Sequence, residues 1–272
     1  MKELFVLEIR RCFRSKGFKT ALVMGIGIAA AHAIQFFLYI NGLKKAGVDP
    51  SYLLLTESYL GEDYVLVWHA IYYWLLPVLA ALPFSTSHFT DAHSGYLNQL
   101  AVRKKKGQIY AVRYLVTYLS GSVTVLLPLM INLFIMAAFF PVGTPQSFQL
   151  TSVISQTGIM GDLHYSNPLV YTFAFWLITV LFGGLFACTS LVLSLFIKNT
   201  FYITIIPAFI LLFWDLLAQQ IHCTKWSPLC MINEAQDYAL AWEPIIVTVS
   251  AGIIITYFIF VVYKSKKDIL GE

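Results

Sequence analysis

Charge is what this sequence has least of. Only 12% of its 272 residues are Asp, Glu, Lys or Arg, 58% are hydrophobic, and the mean hydropathy is +0.72. So few polar groups cannot cover so much apolar surface, which excludes an ordinary water-soluble globule. No G-x-x-x-x-G-K-[ST] stretch occurs, so the chain cannot hydrolyse ATP in the P-loop manner. The H-E-x-x-H pair of zinc proteases and the G-x-S-x-G elbow of serine hydrolases are missing as well, which leaves an intramembrane enzyme little support. Internal repeats, low-complexity runs and a separate soluble domain are also absent.

What is present is length of apolar run. A bilayer core about 30 Å thick takes roughly 20 helical residues at about 1.5 Å each. Six stretches meet that length: Thr20–Ile40, Tyr64–Phe84, Tyr114–Phe140, Leu169–Leu195, Thr200–Ala218 and Pro244–Tyr263. The expected fold is therefore an all-α integral membrane protein of six transmembrane helices, one domain over residues 1–272. A cleaved signal peptide would have an apolar core of only about 7–15 residues, and the run after Thr20 is longer.

Orientation follows from the basic residues. With both termini inside, Lys2, Arg10, Arg11, Arg14, Lys16, Lys19, Arg103, Lys104, Lys105, Lys106, Arg113, Lys198, Lys264, Lys266 and Lys267 are cytoplasmic, and only Lys44, Lys45 and Lys225 are outside. Such a bias beside the spans sets topology in the positive-inside rule. The net charge of +4 is thus a topology signal at one membrane face and not a nucleic-acid signal. The expected location is the cytoplasmic membrane.

Before the first span, Phe5, Ile9 and Phe13 recur at i, i+4, i+8 with arginines to either side, the pattern of an amphipathic helix lying in the inner headgroup plane. Gly17 offers the turn from lying to crossing. Outside, the loops 41–63 and 141–168 read as exterior caps, the first rich in acids and the second free of Lys and Arg. The turn near Lys198 and Asn199 forces the fourth and fifth spans into an antiparallel hairpin. Pro77, Pro128 and Pro207 should kink their spans.

The only sizeable inner segment between spans is residues 85–113, STSHFTDAHSGYLNQLAVRKKKGQIYAVR. Ser87 or Thr90 caps a short helix there, Asp91 favours its positive end, Arg103 to Lys106 complement its negative end, and Gly107 breaks it. Arg103 to Lys106 also read as a topology anchor touching anionic lipid.

An amphipathic start, six spans and a short helix between the second and third resemble the permease subunits of ABC exporters of the type-2 permease family. That family's coupling segment has an aromatic, an acid, a glycine about four residues later, a leucine-rich turn and an arginine. Phe89, Asp91, Gly95, Leu97, Leu100, Arg103 and Arg113 stand here in that order. The chain departs from the pattern in having Asp91 where Glu is usual and Tyr96 where Thr often follows the glycine. The resemblance implies that this segment docks on a separate cytoplasmic ABC ATPase, which carries the ATP and Mg. No cofactor is expected on this chain. It also implies a second permease copy or homologue, and tilting of spans one, two and five when the ATPases close.

Ionisable groups inside spans are expensive and mark pathways by default. His32, His69 and Asp215 qualify as translocation-path candidates. For the histidines the alternative is an interhelical hydrogen bond, and for Asp215 an interfacial carboxylate beside Trp214. Cys223 and Cys230 share the outer loop 219–243, either as a disulfide or as two thiols. Gly183 and Gly184 offer close packing to a partner. Aromatics at 16% suit lipid or amphipathic peptide cargo, or simply an aromatic membrane core. An ion-coupled carrier and a non-transporting scaffold or immunity protein remain the alternatives.

Overall fold

The computed structural model describes residues 2–50, 53–63, 67–145, 154, 158–235 and 240–264. Those residues form helices and connecting loops, with no strand among them. In order the helices are α1 Lys2–Arg14, α2 Lys16–Lys45, α3 Leu55–Ser58, α4 Val67–Ala81, α5 Ser87–His93, α6 Tyr96–Arg103, α7 Lys106–Ala137, α8 Gly161–Ser166, α9 Pro168–Leu193, α10 Thr200–Gln220, α11 Pro228–Ile232 and α12 Trp242–Tyr257. A π-helical stretch, Phe258–Tyr263, prolongs α12.

Among the described residues, five helices are long and apolar enough to cross a membrane: α2, α7, α9, α10, and α12 with its extension. The expected second span is shorter. α4 has 15 residues, about 22 Å, and the start of that expected span, 64–66, lies outside the described residues.

The bundle is arranged around α7 and α9, which pack along each other, with α2 and α4 against them. Its main core joins Tyr59, Leu60, Tyr72, Leu76, Leu129, Phe175 and Phe182, all wholly buried. Small residues set the close approach. A β-carbon at Gly121 of α7 would collide with Ala187 of α9 and lie 2.9 Å from the Gly183 carbonyl oxygen. Gly183 and Gly184 are consumed inside the chain, against Val125 and Tyr118, and do not face a partner as expected. On the periphery α10 exposes Phe209, Phe213 and Leu216 and α12 exposes Ile246, Ile254 and Ile255, as lipid-facing helices do.

Several local expectations change. The chain turns at Ser15, whose Oγ accepts from the Phe18 amide and donates to the Pro83 carbonyl at 3.0 Å. Gly17 serves close packing instead, because a β-carbon there would collide with the Leu82 carbonyl. α1 turns Leu4, Glu8 and Cys12 toward the body, so Phe13 is exposed, as are Val6 and Leu7.

The 85–113 segment holds two short helices where one was expected. Gly95 separates them at φ +73°, a left-handed conformation natural to glycine. Thr86 precedes α5, and Thr90 lies within it. The break falls at Lys104–Lys105, and Gly107 sits in the first turn of α7, which therefore starts before the expected Tyr114.

Candidate functional site

A charge clamp lies beneath the α5–α6 turn. Asp91 of α5 is 1% exposed and accepts from both flanking arginines. Arg11 of α1 grips it with two nitrogens, Nη1 at 2.7 Å from Oδ2 and Nη2 on Oδ1. Arg113 of α7 donates from Nη2 to Oδ2 at 2.6 Å. Glu8 completes the set, 3.6 Å from Arg113 and 3.7 Å from Arg11. Arg11 also lies over the Tyr96 ring of α6, 4.5 Å from its centroid, a cation–π contact.

Two carboxylates and two guanidinium groups thus face each other, Glu8, Asp91 and Arg113 buried and Arg11 half-buried, and such pairing is the condition under which buried charges are tolerated. The Asp91 hydrogen bond raises the Arg11 pKa above its ordinary value and keeps the guanidinium charged. Burial raises the Glu8 carboxyl above 4.5, against the pull of Arg113 and Arg11. The clamp fastens α1, both short helices and the start of α7 into one unit. An apolar layer beneath reinforces it: Leu97 and Leu100 pack toward Leu4, Phe84, Ile109 and Val112.

The expected partner-facing residues therefore divide. Asp91 faces inward and is held within the chain, and Leu97 and Leu100 are half-buried. The Phe89 ring lies tilted against His93, ring centroids 4.5 Å apart. Gly95 has open space around it. Arg103 ends α6, and its side chain lies outside the described set.

The opposite end of the bundle holds a second polar group. The Leu60 amide donates to Asn132 Oδ1 at 2.8 Å, which fixes the orientation of that side-chain amide. Asn132 Nδ2 then donates to the Ala29 carbonyl at 2.9 Å and to His32 Nδ1 at 3.0 Å. His32 consequently carries its proton on Nε2 and donates it to Asp63 Oδ2 at 3.0 Å. His69 Nδ1 donates to the Leu60 carbonyl at 3.0 Å. The two histidines brace one buried turn, Tyr59–Asp63, from either side and do not bond to each other. This corrects the reading of loop 41–63 as a simple exterior cap.

Nearby, Glu62 and Glu234 are buried, and burial raises both carboxyls well above 4.5. His164 Nδ1 lies 3.7 Å from Glu62, and burial lowers that imidazole to about 4. Asp215 stands apart from this group. It accepts from Ser227 Oγ at 2.6 Å and Gln219 Nε2 at 2.8 Å, tying the following loop to α10. Cys223 and Cys230 are separate thiols, Cys230 pointing toward Asp215.

Sequence reasoning passed over Glu8, Asn132, Glu62, Glu234 and His164. Glu8 had a visible signal, sharing an i, i+4, i+8 stripe with Leu4 and Cys12. Asn132 had another, as the one amide side chain between Arg113 and Phe140. Among the described residues no cluster of His, Cys, Asp or Glu has the form of a metal site.

No protein-family model matches this chain. Among curated proteins it is similar to the large ribosomal subunit protein bL20 of Thermoanaerobacter pseudethanolicus and of Thermoanaerobacter sp., each 36% identical over 64 residues, 23% of this chain. The chain spans about half the length of those relatives, 54% of each. A match of that extent assigns no family. No solved structure matches.

Proposed function

We propose that this chain is the membrane-spanning half of an ATP-driven ABC exporter. One observation carries the reading: a helix–Gly95–helix segment between the second and third apolar helices is clamped through Asp91 to both α1 and α7. A push on that segment moves two elements together, as coupling to a motor requires. The resemblance of Phe89, Gly95, Leu97 and Leu100 to the type-2 coupling pattern supports the same reading.

In this reading both termini face the cytoplasm, and the chain pairs with a second copy or a homologous permease in the cytoplasmic membrane. ATP hydrolysis belongs to separate ATPase subunits, nucleic acid plays no part, and the cargo is a lipid, an amphipathic peptide or a similar drug-like molecule. The test is extraction of the tagged chain in mild detergent, identification of co-purifying proteins and assay of ATP hydrolysis. A stoichiometric P-loop ATPase is expected. A well-folded chain that emerges alone and inactive from several mild detergents would sink the proposal.

The buried acids Glu62, Asp63 and Glu234 beside His32, His69 and His164 favour a second reading, an ion-coupled carrier. That reading expects transport by the purified chain alone under an ion gradient, without ATP. A scaffold or immunity-type protein would transport in neither format.

A further inference from the structure

Beside the charge clamp, a cavity of about 330 Å³ opens among α5, α6, the first turn of α7, the α9–α10 turn and the end of the π-helical stretch. Its size falls within the range of small-ligand pockets, about 300–1,000 Å³. Three lysines reach it from three separate parts of the chain: Lys106, Lys198 and Lys264. His88 and His93 add imidazoles, and none of the described residues lining it is acidic. Two long helices, α7 and α10, begin at or next to its wall, so the positive ends of their dipoles lie there as well.

The remaining lining is apolar, including Leu195 and Ile197. The flanking surface continues that character outward: Phe196 is 67% exposed, Phe201 62% and Tyr202 55%. A cationic recess that opens onto an apolar wall, at the level where α9 and the extension of α12 end and α10 begins, has the form of an amphipath's site. Free phosphate would use the lysines and leave the wall idle. Basic pockets between membrane helices hold acidic headgroups for the same reason.

We propose that this cavity holds the phosphate-bearing headgroup of an anionic membrane lipid, its acyl chains lying along the Phe196–Tyr202 surface. The proposal rests on the membrane reading of the chain and not on the exporter reading. A lipid bound there touches both α5 and the start of α7, so it would stiffen the segment that the clamp already fastens.

The test uses the full chain, delipidated in mild detergent and titrated with short-chain phosphatidylglycerol or phosphatidylcholine, with bound lipid counted by native mass spectrometry. One phosphatidylglycerol is expected to persist per chain, with at least tenfold preference over phosphatidylcholine. The triple substitution Lys106→Gln, Lys198→Gln, Lys264→Gln should weaken retention at least tenfold, and the same lysines changed to Arg should keep it. Lys44→Gln, Lys45→Gln, Lys104→Gln removes equal charge elsewhere and should stay within about twofold of the parent. Should the triple Gln chain fail to fold, Lys198→Glu alone, on an exposed turn, is expected to weaken binding severalfold.

Equal retention of the two lipids, or equal losses in the cavity and control variants, overturns the proposal. Displacement by millimolar inorganic phosphate assigns the lysines to a free anion and overturns it equally. If the chain loses its lipid site yet still co-purifies with an ATPase, only this inference falls; if it keeps the site without an ATPase, only the exporter reading does.

Discussion

Arg113 and Asp91, 22 residues apart in sequence, are joined by a buried 2.6 Å hydrogen bond that closes the α5–α6 segment onto the start of α7. Because Arg113 is wholly buried, the bond has no water to substitute for it. Arg113→Ala would leave two carboxylates facing Arg11 alone, a loss of about 3–5 kcal/mol for a broken buried pair. We expect faster amide exchange across residues 2–14 and 87–103, while the main core stays protected. Unchanged exchange in α1 would show that the clamp does not hold it.

Asp91 and Arg11 also permit a coupling measurement. Arg11→Gln and Asp91→Asn each remove a two-pronged contact, and in a double-mutant cycle the second change should cost far less than the first. Additive effects on thermal unfolding would mean that the two side chains act independently. Asp91→Lys, natural as a docking test for a solvent-facing acid, is here expected to release α1, because the carboxylate points inward.

Asn132 is the keystone of the opposite end. Asn132→Leu would strand the Leu60 amide and unfasten His32, at about 3 kcal/mol for buried groups left unsatisfied, while the Ala29 carbonyl keeps its own helical bond. Asn132→Asp keeps an acceptor for Leu60, but in its ionised form it has no proton for His32 or Ala29. Both variants should unfold at lower temperature in detergent, and a parent-like melting point for Asn132→Leu would refute the network.

Acid should weaken this end through His164. Burial lowers its pKa from 6.5 to about 4, so between those values the unfolded chain binds more protons than the folded one. The stability tied to this imidazole is complete above pH 6.5 and is lost as pH falls toward 4, by up to about 3 kcal/mol at 1.36 kcal/mol per unit. Glu62 works the other way: its carboxyl is raised by burial, so its folded form takes up a proton more readily as pH falls. Thermal melts from pH 7 to 4.5 should therefore fall less steeply in His164→Gln and more steeply in Glu62→Gln.

Close packing gives a steric test. Gly121→Val places branches into Ala187 and the Gly183 carbonyl, an overpacking of about 1–3 kcal/mol or more. Gly27→Ala, where nothing lies within 4 Å, should be neutral or slightly stabilising. Melting temperatures of the pair decide the matter.

Hydropathy made the long helices legible, because a membrane-length apolar run has few other uses. The α9–α10 hairpin was legible from the few residues around Lys198 and Asn199. The start of α7 was not, since Gly107 suggested a break where the backbone continues helical. Motif order located the α5–α6 segment but misjudged the direction of Asp91, because motif spacing does not tell which arginines will reach the carboxylate. For α1, the apolar periodicity of Phe5, Ile9 and Phe13 found only the edge of the packed face: Phe5 and Ile9 lie against the Leu4 and Cys12 cluster, while Phe13 is exposed. The body it packs against also supplies Arg113, 3.6 Å from Glu8, a neighbour that apolar periodicity does not register. Loop acids such as Glu62 and Asp63 read as solvent-exposed because composition carries no information about a turn that folds back between helices.

That inward turn bears on the route a cargo would take through the proposed exporter half. Tyr59–Asp63 fills the space between α2, α4 and α7, and the core behind it is closed by Tyr72, Leu129, Phe175 and Phe182. On the exporter proposal, cargo would then pass along the outer wall, past surfaces such as that of Phe209, Phe213 and Leu216, and selectivity would be a shared property of two facing walls and the lipid between them.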